Sequence, residues 1–358
     1  MGTDHQVCGR QARLNGRFLA GRRKLATMVI NPAANGLAPD RPFQFVDGRH
    51  QHVLVTGGTG FIGQALVSEL LEQGLRVTVL TRRDRLPPPL QRAQVKAVRS
   101  LDAINEDEPV DAVINLAGAR ILGLPWTAAR REELLRSRVG LTRDLVKWMA
   151  GRRHRPRCLL SASAIGFYGV QPPADDTQLS ENGPPQPLFM SRLCQAWEQA
   201  AEEAVLLGVQ VACMRFGLVL GRGGALPMML LPVRLGLGGR LGSGSQWLSW
   251  VHIHDLLRAV AHAWQTLERA PGKAPNFYNV TAPGAVRQRD FSRTAAAVLR
   301  RPAFMRTPGW PMRVLLGEQS QLLLEGQRVI PARLQQEGFV FRYPQLQPAL
   351  EHLAARSR

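Results

Sequence analysis

Three groups of residues in this 358-residue chain have the types and spacing to do chemistry on a ligand. The first is Gly57-Gly58-Thr59-Gly60-Phe61-Ile62-Gly63. Gly57 permits a tight turn, Gly60 lets backbone N–H groups approach a pyrophosphate, and Gly63 lets a helix pack closely on its strand. The N-terminus of that helix attracts the phosphate charge. The second group is Arg82-Arg83, guanidinium forks able to grip a phosphate bidentately. The third comprises Asn115, Ser161 and Ser163, followed by Tyr168. A hydroxyl here can hydrogen-bond a reacting carbonyl, and a phenol can give or take a proton.

These residues form one site only if strand ends bring them together. His52–Thr56 is short, β-rich and runs straight into the glycines. The spacing of Phe61, Ile62, Leu66, Leu70 and Leu71 predicts a helix to about Gln73, closed by Gly74. Arg76–Thr81 reads as a second buried strand. Ala112–Gly118, Cys158–Ser163 and Val209–Phe216 read as further strands, with helices over about 127–151 and 188–207. Repeated strand–helix units predict an α/β fold with a doubly wound parallel sheet, a Rossmann fold, whose ligands sit at the carboxyl ends of the strands. Strand, glycine turn, helix and strand together are the setting a dinucleotide fingerprint requires. Gly57, Gly60, Phe61, Ile62, Gly63, Asn115, Ala117 and Gly118 are the expected cofactor-binding residues. An NAD site usually ends its second strand with a carboxylate for the ribose 2′-OH. Here Thr81-Arg82-Arg83 stands there and Asp84 comes late. NADP is therefore the expected cofactor, held through Arg82 and Arg83. NAD is the alternative if these are merely surface arginines of an Arg-rich chain.

Composition bounds the rest. The formal charge is +19, from 46 Lys and Arg against 27 Asp and Glu. Lys occurs only at Lys24, Lys96, Lys147 and Lys273. The arginines are scattered and no stretch interleaves aromatics with cations, so nucleic acid is not an expected partner. Cys8, Cys158, Cys194 and Cys213 form no C-x-x-C pair, which argues against a disulfide framework or zinc knuckle and fits a reducing compartment. The most apolar run, 225–237, is broken by Pro227, Pro232 and Arg234, so no membrane span is expected. His252-x-His254-Asp255 lacks a further ligand at a suitable offset, and no metal is expected. Residues 1–39 carry six cations, at Arg10, Arg13, Arg17, Arg22, Arg23 and Lys24, and only the carboxylate Asp4. They read as a disordered leader of a cytoplasmic protein, or as a mitochondrial transit peptide.

As a set, several motifs resemble the extended short-chain dehydrogenase/reductases, and most of all their atypical YfcH-like, NAD-dependent epimerase/dehydratase-like branch. They are Thr56-Gly57-x-x-Gly60-x-x-Gly63, Asn115-Leu-Ala-Gly118, Ser161-Ala-Ser163 and Tyr168-Gly169. Ala196-Trp197-Glu198, Arg215 through Gly221, Leu235-Gly-Leu-Gly-Gly239, Trp250-Val-His252-Ile-His-Asp255 and Asn279 add to it. Leu324-Glu-Gly-Gln-Arg-Val-Ile-Pro331 and Gly338-Phe-Val-Phe-Arg-Tyr-Pro344 resemble that branch's C-terminal domain. The resemblance covers about residues 52–354. It implies an NADP-dependent oxidoreductase or epimerase-like enzyme acting on a small molecule, with Ser163 on the reacting carbonyl.

The departures from that pattern are specific. These enzymes usually carry a Tyr-x-x-x-Lys pair after the serine strand, where the Lys lowers the pKa of the Tyr and holds the nicotinamide ribose. No such pair exists here: four residues beyond Tyr168, Tyr278 and Tyr343 stand Pro172, Ala282 and Gln347. Counted back from Glu198, the two positions hold Met190 and Cys194. Tyr168 is then the candidate acid or a turn residue beside Gly169. Cys194 is expected at the edge of the cofactor cleft, as a thiol there or as a small buried hydrophobe. Leu248 stands where nucleotide-sugar enzymes often clamp the diphosphate with Arg, and Arg222, Arg234 and Arg240 are nearby cations. Loss of the couple leaves a second reading, a non-catalytic NADP-binding sensor or partner-binding protein. The expected organisation is a leader over 1–51, a cofactor domain over 52–283 and a C-terminal substrate lobe over 284–358. Loops 170–187 and 221–244 are expected to join that smaller lobe.

Overall fold

Strands covered on both faces must be apolar nearly throughout, and those at the centre of this protein are. The computed structural model describes residues 43–45, 52–123 and 125–355. Its first strands are β1 (His52–Thr56), β2 (Arg76–Leu80), β3 (Val95–Val98), β4 (Ala112–Asn115), β5 (Cys158–Ala164) and β6 (Gln210–Phe216). Then come β7 (Leu218–Leu220), β8 (Gly239–Leu241), β9 (Trp247–Leu248), β10 (Trp250–His252), β11 (Asn276–Val280), β12 (Val286–Arg287) and β13 (Met305–Thr307). Seven of them form one parallel sheet in the order β11-β6-β5-β4-β1-β2-β3. The chain builds outward from β1 through β2 to β3, then crosses back to place β4 on the other side of β1. That reversal opens a crevice beyond the carboxyl ends of β1 and β4.

Helices pack on both faces. Alternate residues of one strand go to opposite sides, so Val53 and Val55 meet Leu66 and Leu70 of α1 (Phe61–Glu72). Leu54 joins Leu145 and Met149 on the other face. The helix predicted over 127–151 is two helices, α2 (Ala128–Leu135) and α3 (Leu141–Ala150), joined by a π turn at Arg136–Gly140. The next, α4 (Phe189–Glu202), buries Met190, Leu193, Cys194 and Trp197. A further apolar cluster unites α5 (Leu226–Arg234), α7 (Gln288–Leu299) and the helix Leu346–Ala355 around Trp250 and Phe291. Within the segment read as a leader, residues 1–42 and 46–51 lie outside the described residues. Phe45 is fully buried, tilted against Trp264 at 6.1 Å between ring centroids.

The C-terminal segment is tied down at the start of α6 (Ile253–Arg269). His252 caps this helix, its Nδ1 accepting from the His254 N–H at 3.1 Å. That fixes the ring proton on Nε2, 3.2 Å from His352 Nδ1, while the Tyr343 ring lies 4.0 Å away. Asp255 accepts from the backbone N–H groups of Arg342 and Tyr343 at 2.8 and 2.7 Å. Burial pushes the His252 pKa from 6.5 down to about 2, with His352, His254 and Arg342 adding to the shift. Because the unfolded chain binds this proton more readily, its contribution is fully present above pH 6.5 and is lost as pH falls. At pH 5 the loss is on the order of 2 kcal/mol. Urea unfolding at pH 7.5 and pH 5 should show it, and His252→Asn, which can still cap, should shrink the difference by about that amount, leaving what the buried His52 contributes. An identical pH dependence in the variant would refute this account of His252.

Candidate active site

Backbone geometry places the glycine turn in the crevice. Gly57 sits at φ +68°, where side chains are strained, and a Cβ there would lie 2.7 Å from the Leu116 carbonyl carbon. The turn is closed by the Gly60 N–H donating to Gly57 O at 2.9 Å. A Cβ on Gly63 would overlap the Gly57 carbonyl oxygen and lie 2.6 Å from Gly58 Cα. No side chain caps α1 and its first turn holds no acid, so its N–H groups are free for an anion. Phe61 and Ile62 occupy that first turn, half-buried, and Gly221, Gly223 and Gly224 pack on the Phe61 ring.

Arg82 and Arg83 follow β2, both exposed. The Arg83 N–H donates to Thr81 Oγ1 at 3.1 Å, which sets the turn. Asp84 is paired with Arg99. Among the described residues, no carboxylate pairs with Arg82 or Arg83.

Beyond β4 the polar side chains turn inward. The Asn115 amide accepts from Thr56 Oγ1 at 2.7 Å and donates to Thr142 Oγ1 and Ser161 Oγ at 2.9 and 3.3 Å. Thr142 also accepts from Trp197 Nε1 at 3.1 Å, and the Ala117 N–H donates to Thr56 Oγ1 at 3.2 Å. Asn115 was expected to bind cofactor; its side chain is consumed in tying β1, β4, β5 and α3 together.

Ser163 and Tyr168 belong to a second buried network. Ser163 Oγ donates to Glu198 Oε1 at 2.6 Å. Arg215 grips the same carboxylate through Nε to Oε1 and Nη2 to Oε2, each at 2.8 Å. Arg215 Nη1 donates to Tyr168 OH at 2.9 Å, and that hydroxyl donates to Asn279 Oδ1 at 2.7 Å. A serine has one proton, so Ser163 cannot also donate to a carbonyl in this arrangement. The Tyr168 pKa is pushed up to about 12 by burial, with the Arg215 charge opposing. In this arrangement both hydroxyl protons are engaged within the protein. Spacing put Ser163 at a strand end; it gave no sign that Glu198, on a helix far along the chain, takes its proton.

Cys194 was expected at the cleft edge, and the structure places it in the interior at 1% exposure. Burial pushes its thiol up to about 12, reinforced by Glu198 and opposed by Arg138. Cys158 and Cys213 are raised by burial as well.

The loops join from outside. Leu179 pairs with Val329 and Gln171 with Gly326, Asp176 is ion-paired with Arg287, and Trp247 Nε1 donates to Asp175 O at 3.3 Å. Arg131 and Glu318 form an ion pair, and Gln319 Nε2 donates to Ile121 O at 2.7 Å, so residues 318–319 sit against the loop after β4.

Residues 53–281 match the model of the NAD-dependent epimerase/dehydratase family. The chain belongs to that family. Residues 307–353 match a separate domain of unknown function. The epimerase family protein SSP1921 of Staphylococcus saprophyticus is 40% identical over 304 residues, spanning 85% of this chain and 99% of its own. The epimerase family protein YfhF of Bacillus subtilis is 35% identical over 305 residues, spanning 85% and 98%. Among solved structures, human epimerase family protein SDR39U1 (isoform 2), crystallised with NADPH, superposes with a TM-score of 0.73. It is 33% identical and covers 85% of this chain and 99% of its own. Members of this family bind NAD(P) on a Rossmann sheet, and the crevice above has that form. Among the described residues, no helix is long and apolar enough to cross a membrane.

Proposed function

We propose that this protein binds NADP(H) through Gly57, Gly60, Phe61, Ile62, Gly63, Ala117 and Gly118, with Arg82 and Arg83 on the 2′-phosphate. In this reading it is an oxidoreductase or epimerase-like enzyme acting on a small molecule beyond β4 and β5. The observation that carries the reading is the charge at the end of β2: two exposed arginines without a carboxylate, the one nearby acid being engaged by Arg99. When bound, the nicotinamide supplies a hydride donor or acceptor. The residues with spare bonding capacity at that end are backbone groups and cations rather than Ser163 or Tyr168. Those two keep the floor of the cleft in register.

Titration by intrinsic Trp fluorescence should show NADPH binding more tightly than NADH. Replacing Arg82→Glu and Arg83→Glu together should cost NADPH about tenfold or more while sparing NADH, since a charge-assisted contact is worth about 1.5–3 kcal/mol. Equal affinities for the two cofactors would remove the argument. The engaged protons of Ser163 and Tyr168 favour a second reading, an NADP-binding sensor without turnover. Steady NADPH oxidation across a panel of carbonyl compounds supports the enzyme. Tight binding with no oxidation of any of them supports the sensor.

A further inference from the structure

Among the described residues, buried Arg215 is paired with Glu198 and buried Arg152 donates to the carbonyls of Ile104, Asn105 and Glu108. Buried Arg138, near the cleft, is less fully engaged. Arg138 lies in the π turn between α2 and α3 at 7% exposure. Such turns recur at functional sites. Among the described residues no carboxylate pairs with it. Its Nη2 donates to Ala119 O at 3.0 Å, and its Nη1 reaches Ser137 Oγ and Leu134 O at 3.4 and 3.5 Å. The Trp197 ring lies under Cζ at 5.3 Å. Burial lowers its pKa to about 10, with the neighbouring Arg130 charge adding to the shift. It is still a cation at neutral pH.

A guanidinium has five N–H donors. The bonds above leave Nε–H and one of the two Nη2–H groups, and Nε and Nη2 share one edge of the guanidinium. That edge borders Gly118: a Cβ there would stand 2.9 Å from Cζ, 3.0 Å from Nη2 and 3.2 Å from Nε. Thr142 holds the turn in place by donating to the Arg138 carbonyl at 2.7 Å while it accepts from Asn115. A dinucleotide on this sheet has its adenosine half at the end of β2 and its pyrophosphate over Gly57–Gly63. Its other half then crosses to the ends of β4 and β5, where Gly118 abuts Arg138 and Ser163 stands against Cys194.

We propose that Arg138 is a cofactor-positioning residue: its free donors hold the nicotinamide-side ribose diol from the turn before α3. The proposal rests on the NADP(H) reading. Two adjacent donors match two adjacent hydroxyl oxygens, and Gly118 leaves the approach open.

The test compares NADPH with 2′,5′-ADP, which carries the adenosine half and no second ribose. Arg138→Gln should weaken NADPH about tenfold and leave 2′,5′-ADP unchanged. Arg138→Lys should recover part of that loss. Gly118→Ala, which crowds the guanidinium without removing it, should act in the direction of Arg138→Gln. Unchanged NADPH affinity in Arg138→Gln would overturn the proposal. Equal weakening of both ligands would also overturn it, because Arg138 would then merely support the fold. If the unaltered protein binds neither ligand, the cofactor reading fails first and the proposal falls with it.

Discussion

Glu198→Ala is expected to destabilise the protein by about 3–5 kcal/mol, the scale for stranding a buried charge. Glu198 and Arg215 are each 4% exposed and joined by two parallel bonds of 2.8 Å. Burial alone would lower the Arg215 pKa, but the hydrogen bonds and charge of Glu198 hold it above the ordinary value. Arg215 also lies 3.5 Å over the Phe167 ring and donates to Tyr168 OH and Glu181 O. These neutral partners remain in the variant and cannot replace a full counter-charge. Ser163 would lose its acceptor in the same step. The double variant Glu198→Leu with Arg215→Met should be less destabilised than the sum of the two singles, because neither charge is then left alone. Chemical denaturation of the four proteins closes the cycle. A loss below about 1 kcal/mol in Glu198→Ala would mean water reaches this pair and that the network is no anchor.

That network explains why the fold was more legible than the site. The turn at Gly57–Gly63 is local: a few φ values and close approaches dictate glycine, so the spacing reports the geometry directly. β1, α1 and β2 follow from apolar periodicity beside it. β3 escapes local pattern for a physical reason: it is an edge strand, and two of its four residues are exposed. β11, the other edge, mixes Asn276 and Asn279 with its apolar residues. A π turn adds one residue without changing composition, so apolar spacing predicts one continuous helix over 127–151. The direction of the Ser163 proton depends on a helix 35 residues on, and Tyr168 meets Asn279 across 111 residues. No local pattern encodes such meetings. Arg138 was hidden differently: one buried guanidinium among 46 cations has nothing in its own neighbourhood to mark it.

Gly63→Ala is expected to abolish measurable NADPH binding. The added methyl would overlap the Gly57 carbonyl oxygen and stand 2.6 and 2.8 Å from Gly58 Cα and carbonyl carbon. All three obstacles are backbone, so no side chain can step aside. Carbon atoms rest at about 3.5–4.0 Å, and α1 must therefore retreat from the turn by roughly 1 Å. Its N–H groups would move with it, away from the place where a pyrophosphate meets them. Each such charge-assisted bond is worth about 1.5–3 kcal/mol, so losing two costs on the order of a hundredfold or more. Gly60→Ala should be milder, because its nearest neighbour is Gly57 O at 3.2 Å. Gly74, at φ +82° with nothing within 4 Å, ends α1 on the side away from the cleft. Gly74→Ala should cost about 1 kcal/mol of stability through left-handed strain and leave NADPH affinity intact. Calorimetric titration and thermal melts of the three variants separate the two kinds of loss. The packing argument predicts an order of affinity, Gly74→Ala above Gly60→Ala above Gly63→Ala, that differs from any order set by stability alone. If Gly63→Ala kept NADPH within about threefold of the unaltered protein, the turn would not be where the pyrophosphate binds.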